Sequence, residues 1–247
     1  MCHAEHDEAN STKMDVVDAR AAGIYLIRCG KYSHSIYSFL QIPGSFISSF
    51  DIIHLQIDFN KRNRNVPTDV WCRMTVDGTD FKTQEPHPFN RKWMSHKYNG
   101  AALKYEVAIS LYSGDIVWIY GPHRGGKADI SIIREVLLRK LDQGEMVEAD
   151  QGYLGEPEFI RVRDDWLTKQ EKREKGRARC RHETVNGRFK NWSILKQEYR
   201  HDDKKHEWVF RAIAAITQLG IDNGNCLFAS HPMAKRKESY SVDDLEF

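Results

Sequence analysis

Apolar positions along this chain repeat with two different periods, and the change of period divides it into elements. Residues 104–112 alternate, with Tyr105, Val107, Ile109 and Leu111 on one side of the pattern, which predicts a strand. Ser113-Gly114-Asp115 reads as a turn and residues 116–120 as the returning strand, so a hairpin is expected. Upstream, Thr75, Val76 and Phe81 suit a strand, and Gly78 is a point where such a strand ends or bulges. Residues 146–149 predict another short strand. The period then lengthens. Ile130, Ile133, Val136, Leu137 and Leu141 fall at helical spacing, and Asp142-Gln143-Gly144 stops that run. Val185, Phe189 and Trp192 mark one buried stripe of a helix over residues 178–195, entered from a charged segment at 170–181. Val209, Phe210, Ile213, Ala214 and Ile216 mark a second helix over residues 208–219. Residues 83–93, rich in proline and aromatics, read as an ordered loop.

The order strand, hairpin, helix, strand, helix, helix predicts an α/β fold, one mixed sheet with helices packed on it. Residues 53–230 are expected to form this domain. Residues 1–52 make a poorly defined extension, with a short helix at 14–22, a strand at 23–28 and disorder at 1–10. The polar tail 231–247 is expected to be disordered.

Composition narrows the class. With 40% hydrophobic and 29% charged residues, the chain of 247 residues reads as an ordinary soluble protein. The five cysteines include no CxxC pair, which argues against a zinc site or a disulfide framework and for a reducing, intracellular setting. No apolar run reaches the ~18 residues of a membrane span, and the start of the chain lacks a basic-then-apolar signal.

Candidate chemistry lies in three acids. Asp77 follows a short apolar run, Asp150 ends Met146-Val-Glu-Ala-Asp150, and Glu183 lies in a helical stretch. An acid at a buried strand end is costly unless it is paired or holds a cation. Two strand-end carboxylates and one helical carboxylate suit Mg²⁺ or Mn²⁺, which take oxygen ligands. Two such ions about 3.5–4 Å apart serve phosphodiester cleavage. Asp77 is the candidate bridge, with Asp150 and Glu183 completing the two shells. Arg179 and Lys190, with the basic run 172–181, are placed to hold phosphates, and Gly187 lets a backbone approach. Gly121-Pro-His-Arg-Gly-Gly-Lys-Ala128 matches the spacing of a nucleotide-binding P-loop. Ala128 supplies no hydroxyl for Mg²⁺, and Asp129 puts negative charge where phosphate should sit, so Asp129 reads as a helix cap or an accessory acid.

The runs Val76-Asp-Gly-Thr-Asp80, Glu148-Ala-Asp-Gln-Gly-Tyr153 and Arg181-His-Glu-Thr-Val-Asn-Gly-Arg-Phe-Lys190 together resemble the DDE transposases of the PIF/Harbinger type. Ser95-His-Lys-Tyr-Asn-Gly100 and residues 121–129 resemble the segments between those motifs. The resemblance implies a ribonuclease-H-like mixed sheet flanked by helices, dependence on two divalent cations, and cleavage and transfer of DNA strands. It implies Asp77, Asp150 and Glu183 as the catalytic triad and metal ligands, Asp129 as an accessory ligand, and Asp80 as a weaker candidate. Arg179, Arg181, Lys190 and Lys97 are the expected DNA contacts. Such proteins act in the nucleus, often with a separate DNA-binding partner protein, and a homo-oligomer is compatible with the reading. Residues 1–52 show no helical DNA-recognition region. The alternative is therefore a catalytically silent derivative that binds DNA or protein.

Overall fold

The computed structural model describes residues 57–68, 70–162 and 168–228. All belong to the second of two compact units, Asp51–Phe247. The expectations for residues 1–52 and for the tail 231–247 lie outside the described residues.

The strands are β1 (Cys72–Lys82), β2 (Met94–Ser95), β3 (Gly100–Ser110), β4 (Ile116–Arg124), β5 (Met146–Glu148) and β6 (Ile160–Arg161). The helices are α1 (Asp129–Glu135), α2 (Lys169–Lys190), α3 (Ser193–Lys196) and α4 (Asp203–Asp222). Antiparallel pairing joins β1 to β3 and β3 to β4. Parallel pairing joins β1 to β5 and β5 to β6. β2 adds to the first residues of β3. The result is one mixed sheet of six strands with β1 near its centre.

Alternation along β1 sends its residues to two different cores. Met74 and Val76 pack with Ala108, Val117 and Val147 under Ile133 of α1, Leu137 and Tyr153. On the other face, Phe81 and Tyr105 meet His206 and Phe210 of α4, and Phe189 of α2 closes on Phe210. The sheet is thus sandwiched between α1 on one side and α2 and α4 on the other.

Three expectations are corrected. Gly78 neither ends nor bulges β1: the β3 register runs unbroken from Met74↔Ser110 to Lys82↔Ala102, with Gly78 opposite Glu106. The helix expected over residues 130–141 is two pieces, α1 and a 3₁₀ turn at Leu137–Lys140. Their apolar spacing is shared, because both forms bring residues three and four apart to one side. The charged segment 170–181 is not a lead-in but half of α2. Its buried stripe contains Lys175, Ala178, Arg181, His182, Val185 and Phe189. Two basic members of that stripe hide its period from a hydropathy reading. Lys175 is buried because its Nζ donates to the Val162 carbonyl at 2.9 Å.

Candidate active site

The pairing of β1 with β5 ends at Thr75↔Glu148. Asp77 lies two residues beyond Thr75, and Asp150 lies two residues beyond Glu148. Equal offsets past the last pair of two parallel neighbours set these two acids side by side. Asp77 is therefore not at the end of its strand. It sits mid-strand, where one neighbour stops. Its Oδ1 accepts from the Gly78 amide at 2.8 Å. Asp150 turns the chain out of the sheet as the cap of the 3₁₀ turn Gln151–Tyr153, its Oδ1 accepting from the Gly152 amide at 2.9 Å.

A third acid joins them from α1. Asp129 packs over Gly78, where a Cβ would lie 2.8 Å from Asp129 Oδ1. Position 78 carries no side chain because the carboxylate needs that space. At Gly152 a Cβ would lie 3.0 Å from Asp129 Oδ2 and 3.1 Å from Asp150 Oδ1, so the two acids flank that glycine. Asp129 is not the helix cap expected of it. Ala128 takes the cap position without a side-chain hydrogen bond, and Asp129 begins the first turn. Its Oδ1 accepts from Lys104 Nζ at 2.9 Å, and the same ammonium donates to the Lys127 carbonyl at 2.9 Å.

Charge accumulates here. Burial pushes the Asp77 carboxyl up to about 6; Lys97 opposes that rise, and Asp150 and Asp129 add to it. Lys97 reaches in from the 95–99 turn, its Nζ donating to the Gly78 carbonyl at 2.6 Å. Beneath the acids, burial lifts the Tyr153 phenol well above its usual value, with Glu106, Asp129, Asp77 and Asp150 all adding. Glu106 is fully buried on β3. Its Oε1 accepts from Trp118 Nε1 at 2.9 Å, its Oε2 has no partner, and burial pushes its carboxyl up to about 8.

Glu183 comes from α2, the helix packed on the other face of the sheet from α1. It is exposed. The helix under it is anchored to β1 by the preceding residue. His182 is buried with its ring bonded to the Thr75 backbone, and burial lowers its pKa to about 4. Val185 and Phe189 are fully buried as expected, whereas Trp192 falls beyond the helix. Glu183 and Gly187 both lie on the exposed side, with open space around Gly187.

Among the described residues, no three His, Cys, Asp or Glu side chains converge closely enough to hold an ion as they stand. Each of Asp77, Asp129 and Asp150 spends Oδ1 on a local hydrogen bond. The second oxygen of each has no hydrogen-bond partner among the described residues, and a set of carboxylate oxygens suits Mg²⁺ or Mn²⁺. The donor chemistry, carboxylate oxygen throughout, is the kind a hard cation takes.

The other expected site residues divide. Arg181 is corrected: it is buried, donating to the carbonyls of Ser110 at 3.2 Å, Leu111 at 2.9 Å and Phe228 at 3.0 Å. A guanidinium committed to two interior carbonyls of the hairpin and to that of Phe228 holds the hairpin to α2 and does not face a phosphate. Arg179 is exposed, and Lys190 lies over the Tyr98 ring. Asp80 is buried and accepts from the Ser95 hydroxyl. Lys127 of the P-loop-like run pairs with Glu135 and contacts His123 Nδ1 at 3.2 Å. A Cβ at Gly126 would lie 2.8 Å from the Lys92 carbonyl, so that loop is packed and offers no phosphate cradle.

Sequence reasoning missed Lys104, Glu106 and the spacing role of Gly152. The signal for the first two was present: a lysine and a glutamate alternate through β3, and such groups are rarely buried without a partner. Among the described residues no helix is long and apolar enough to cross a membrane. No family model, curated protein or solved structure matches the chain.

Proposed function

We propose that this domain is a divalent-metal-dependent nuclease that cuts phosphodiester bonds in DNA, of the DDE transposase type, with a ribonuclease-H-like core. The observation that carries the reading is the register: Asp77 and Asp150 stand at equal offsets where β5 leaves β1, with Asp129 seated over Gly78 beside them. A ribonuclease-H-like sheet sets the strand bearing the first acid beside the strand that follows the first helix. β1 and β5, with α1 between β4 and β5, stand in that relation.

Asp77, Asp150 and Asp129 would hold Mg²⁺ or Mn²⁺, with Glu183 added from α2. When bound, the ions supply an activated water and stabilise charge on the leaving oxygen. The chain's own residues prepare that geometry. Lys104 fixes Asp129 through Oδ1, which aims Oδ2 toward Gly152 and Asp150. Lys97 offsets part of the negative charge gathered around Asp77. Exposed Arg179, with Lys190, positions phosphates on the α2 side. DNA is the partner this implies. A separate DNA-recognising protein, a homo-oligomer and a nuclear location follow from the family resemblance alone.

The test is Mn²⁺-dependent nicking of supercoiled plasmid by the full chain beside Asp77→Asn, Asp129→Asn and Glu183→Gln. Nicking should be lost in Asp77→Asn while the folded signal is retained. Nicking that persists in that variant refutes the site. Loss in Glu183→Gln assigns the third ligand to α2, and loss in Asp129→Asn alone assigns it to α1. A second reading, a catalytically silent binding module, is favoured by the lysine already paired with Asp129 and by the spacing of the acids. A folded wild type that binds Mn²⁺ and never nicks would establish it.

A further inference from the structure

The turn that delivers Lys97 is built to hold more than one cation. Ser95 is fully buried; its hydroxyl donates to buried Asp80 and accepts from the Lys97 amide at 3.1 Å. The Asn99 amide donates to the Ser95 carbonyl at 2.8 Å, and Asn99 takes a left-handed φ of 51° to close the turn. Tyr98 is pinned to β1 by its hydroxyl, which donates to the Asp80 carbonyl at 3.1 Å. Asp80 therefore anchors this turn twice, through its side chain and its backbone.

On that fixed support three ammonium groups gather from three elements. Lys82, at the end of β1, sits 5.1 Å from the centroid of the Tyr98 ring. Lys190, at the end of α2, sits 5.7 Å from the same centroid. Lys97, the residue before Tyr98, turns toward Gly78 and is the largest charge opposing the rise at Asp77. None of the three forms a salt bridge among the described residues. The electron-rich ring face attracts Lys82 and Lys190 without neutralising them.

We infer that Tyr98, Lys82, Lys97 and Lys190 form a binding site for the phosphodiester backbone of a nucleic-acid strand. Lys82 and Lys97 are exposed, and Tyr98 and Lys190 are half-buried, with Lys82 and Lys190 approaching one ring from the ends of two different elements. A small anion is held by an enclosing nest of donors; ammoniums on side chains from three different elements beside an aromatic ring suit the phosphates and bases of a strand. A strand lying on Tyr98 reaches the acids through Lys97, which touches both places. The identification of the anion as nucleic-acid phosphate rests on the proposed function, but binding here needs neither metal nor acid.

The experiment is fluorescence anisotropy of a labelled single-stranded oligodeoxynucleotide with the full chain in EDTA, over a series of salt concentrations. Lys82→Gln/Lys190→Gln should weaken binding roughly tenfold and reduce the steepness of log Kobs against log salt by about 1.4, two phosphate contacts of a single strand. Tyr98→Leu should weaken binding in the same direction. Lys204→Gln/Lys205→Gln, exposed on α4, is the charge-matched control and should leave the slope in place. A Lys82/Lys190 variant indistinguishable from that control overturns the inference, as does a wild type that binds no strand. Inorganic phosphate added at constant ionic strength should not displace the strand, and displacement would overturn the assignment to a polymer. Failure of the nuclease reading appears as absent Mn²⁺-dependent nicking and leaves this metal-free assay unaffected.

Discussion

Glu106 offers a direct test of the interior behind the acids. Its carboxyl is fully buried, and burial moves it from 4.5 to about 8. Between those two pH values the folded chain binds a proton that the unfolded chain has released. Stability from this group is therefore present at low pH and lost as pH rises toward 8. Each pH unit between the two values corresponds to about 1.4 kcal/mol. Glu106→Gln removes the titration and keeps the shape. Its amide oxygen still accepts from Trp118, and its amide nitrogen takes the unpartnered place of Oε2. An unmet donor costs about 1–3 kcal/mol at every pH, so the absolute difference between the two proteins carries little information. Its pH dependence carries the test. Burial also holds His182 and His206 down to about 4, and Asp77 up to about 6, but these cancel in the comparison. Urea unfolding in EDTA, from about pH 5 to about pH 8, should show the glutamine variant gaining about 3–4 kcal/mol on the wild type. A difference that stays constant across that range means that Glu106 titrates normally and would refute the reasoning.

Two further outcomes test the site and a corrected residue. Gly152→Ala places a methyl against Asp129 Oδ2 and Asp150 Oδ1. Mn²⁺ affinity, read by calorimetry, should fall roughly ten- to a hundredfold, and unchanged affinity would separate Asp129 from the site. Arg181→Met strands the two interior carbonyls of Ser110 and Leu111 and should cost about 2–4 kcal/mol in urea unfolding. Its DNA affinity should match the wild type, and a marked loss in a protein that remains folded would return Arg181 to the DNA contacts.

The sheet was legible in the sequence because Tyr105, Val107 and Ile109 alternate with Lys104 and Glu106 along β3, residues 116–120 make a continuous apolar run in β4, and Ser113-Gly114-Asp115 marks their turn. The extent of α2 was not legible, because Lys175 and Arg181 occupy buried positions by spending their charges on backbone carbonyls. Hydropathy assigns such side chains to solvent. At the candidate site, Asp77 and Asp150 were recognisable as strand acids, but their neighbourhood depends on a parallel pairing that no local pattern encodes. Lys104 was invisible for the opposite reason. It sits in a strand where alternation alone gives it no partner, and its partner Asp129 lies 25 positions away in sequence. Gly78 was noticed and misread, since a glycine in a strand signals a close approach as readily as an ending.

Arg181 has a temporal consequence. Its guanidinium reaches carbonyls 70 and 71 residues earlier in the chain, whereas β1, β3 and β4 pair as near neighbours in sequence. Local pairings close early and distant ones late, and a growing chain presents its earlier segments first. The hairpin pairings that hold the strand bearing Asp77 are therefore expected to form before α2 docks. Docking of Arg181 under the hairpin is thus a late step, the one that closes α2 and its Phe189 over the face of the sheet bearing Phe81 and Tyr105.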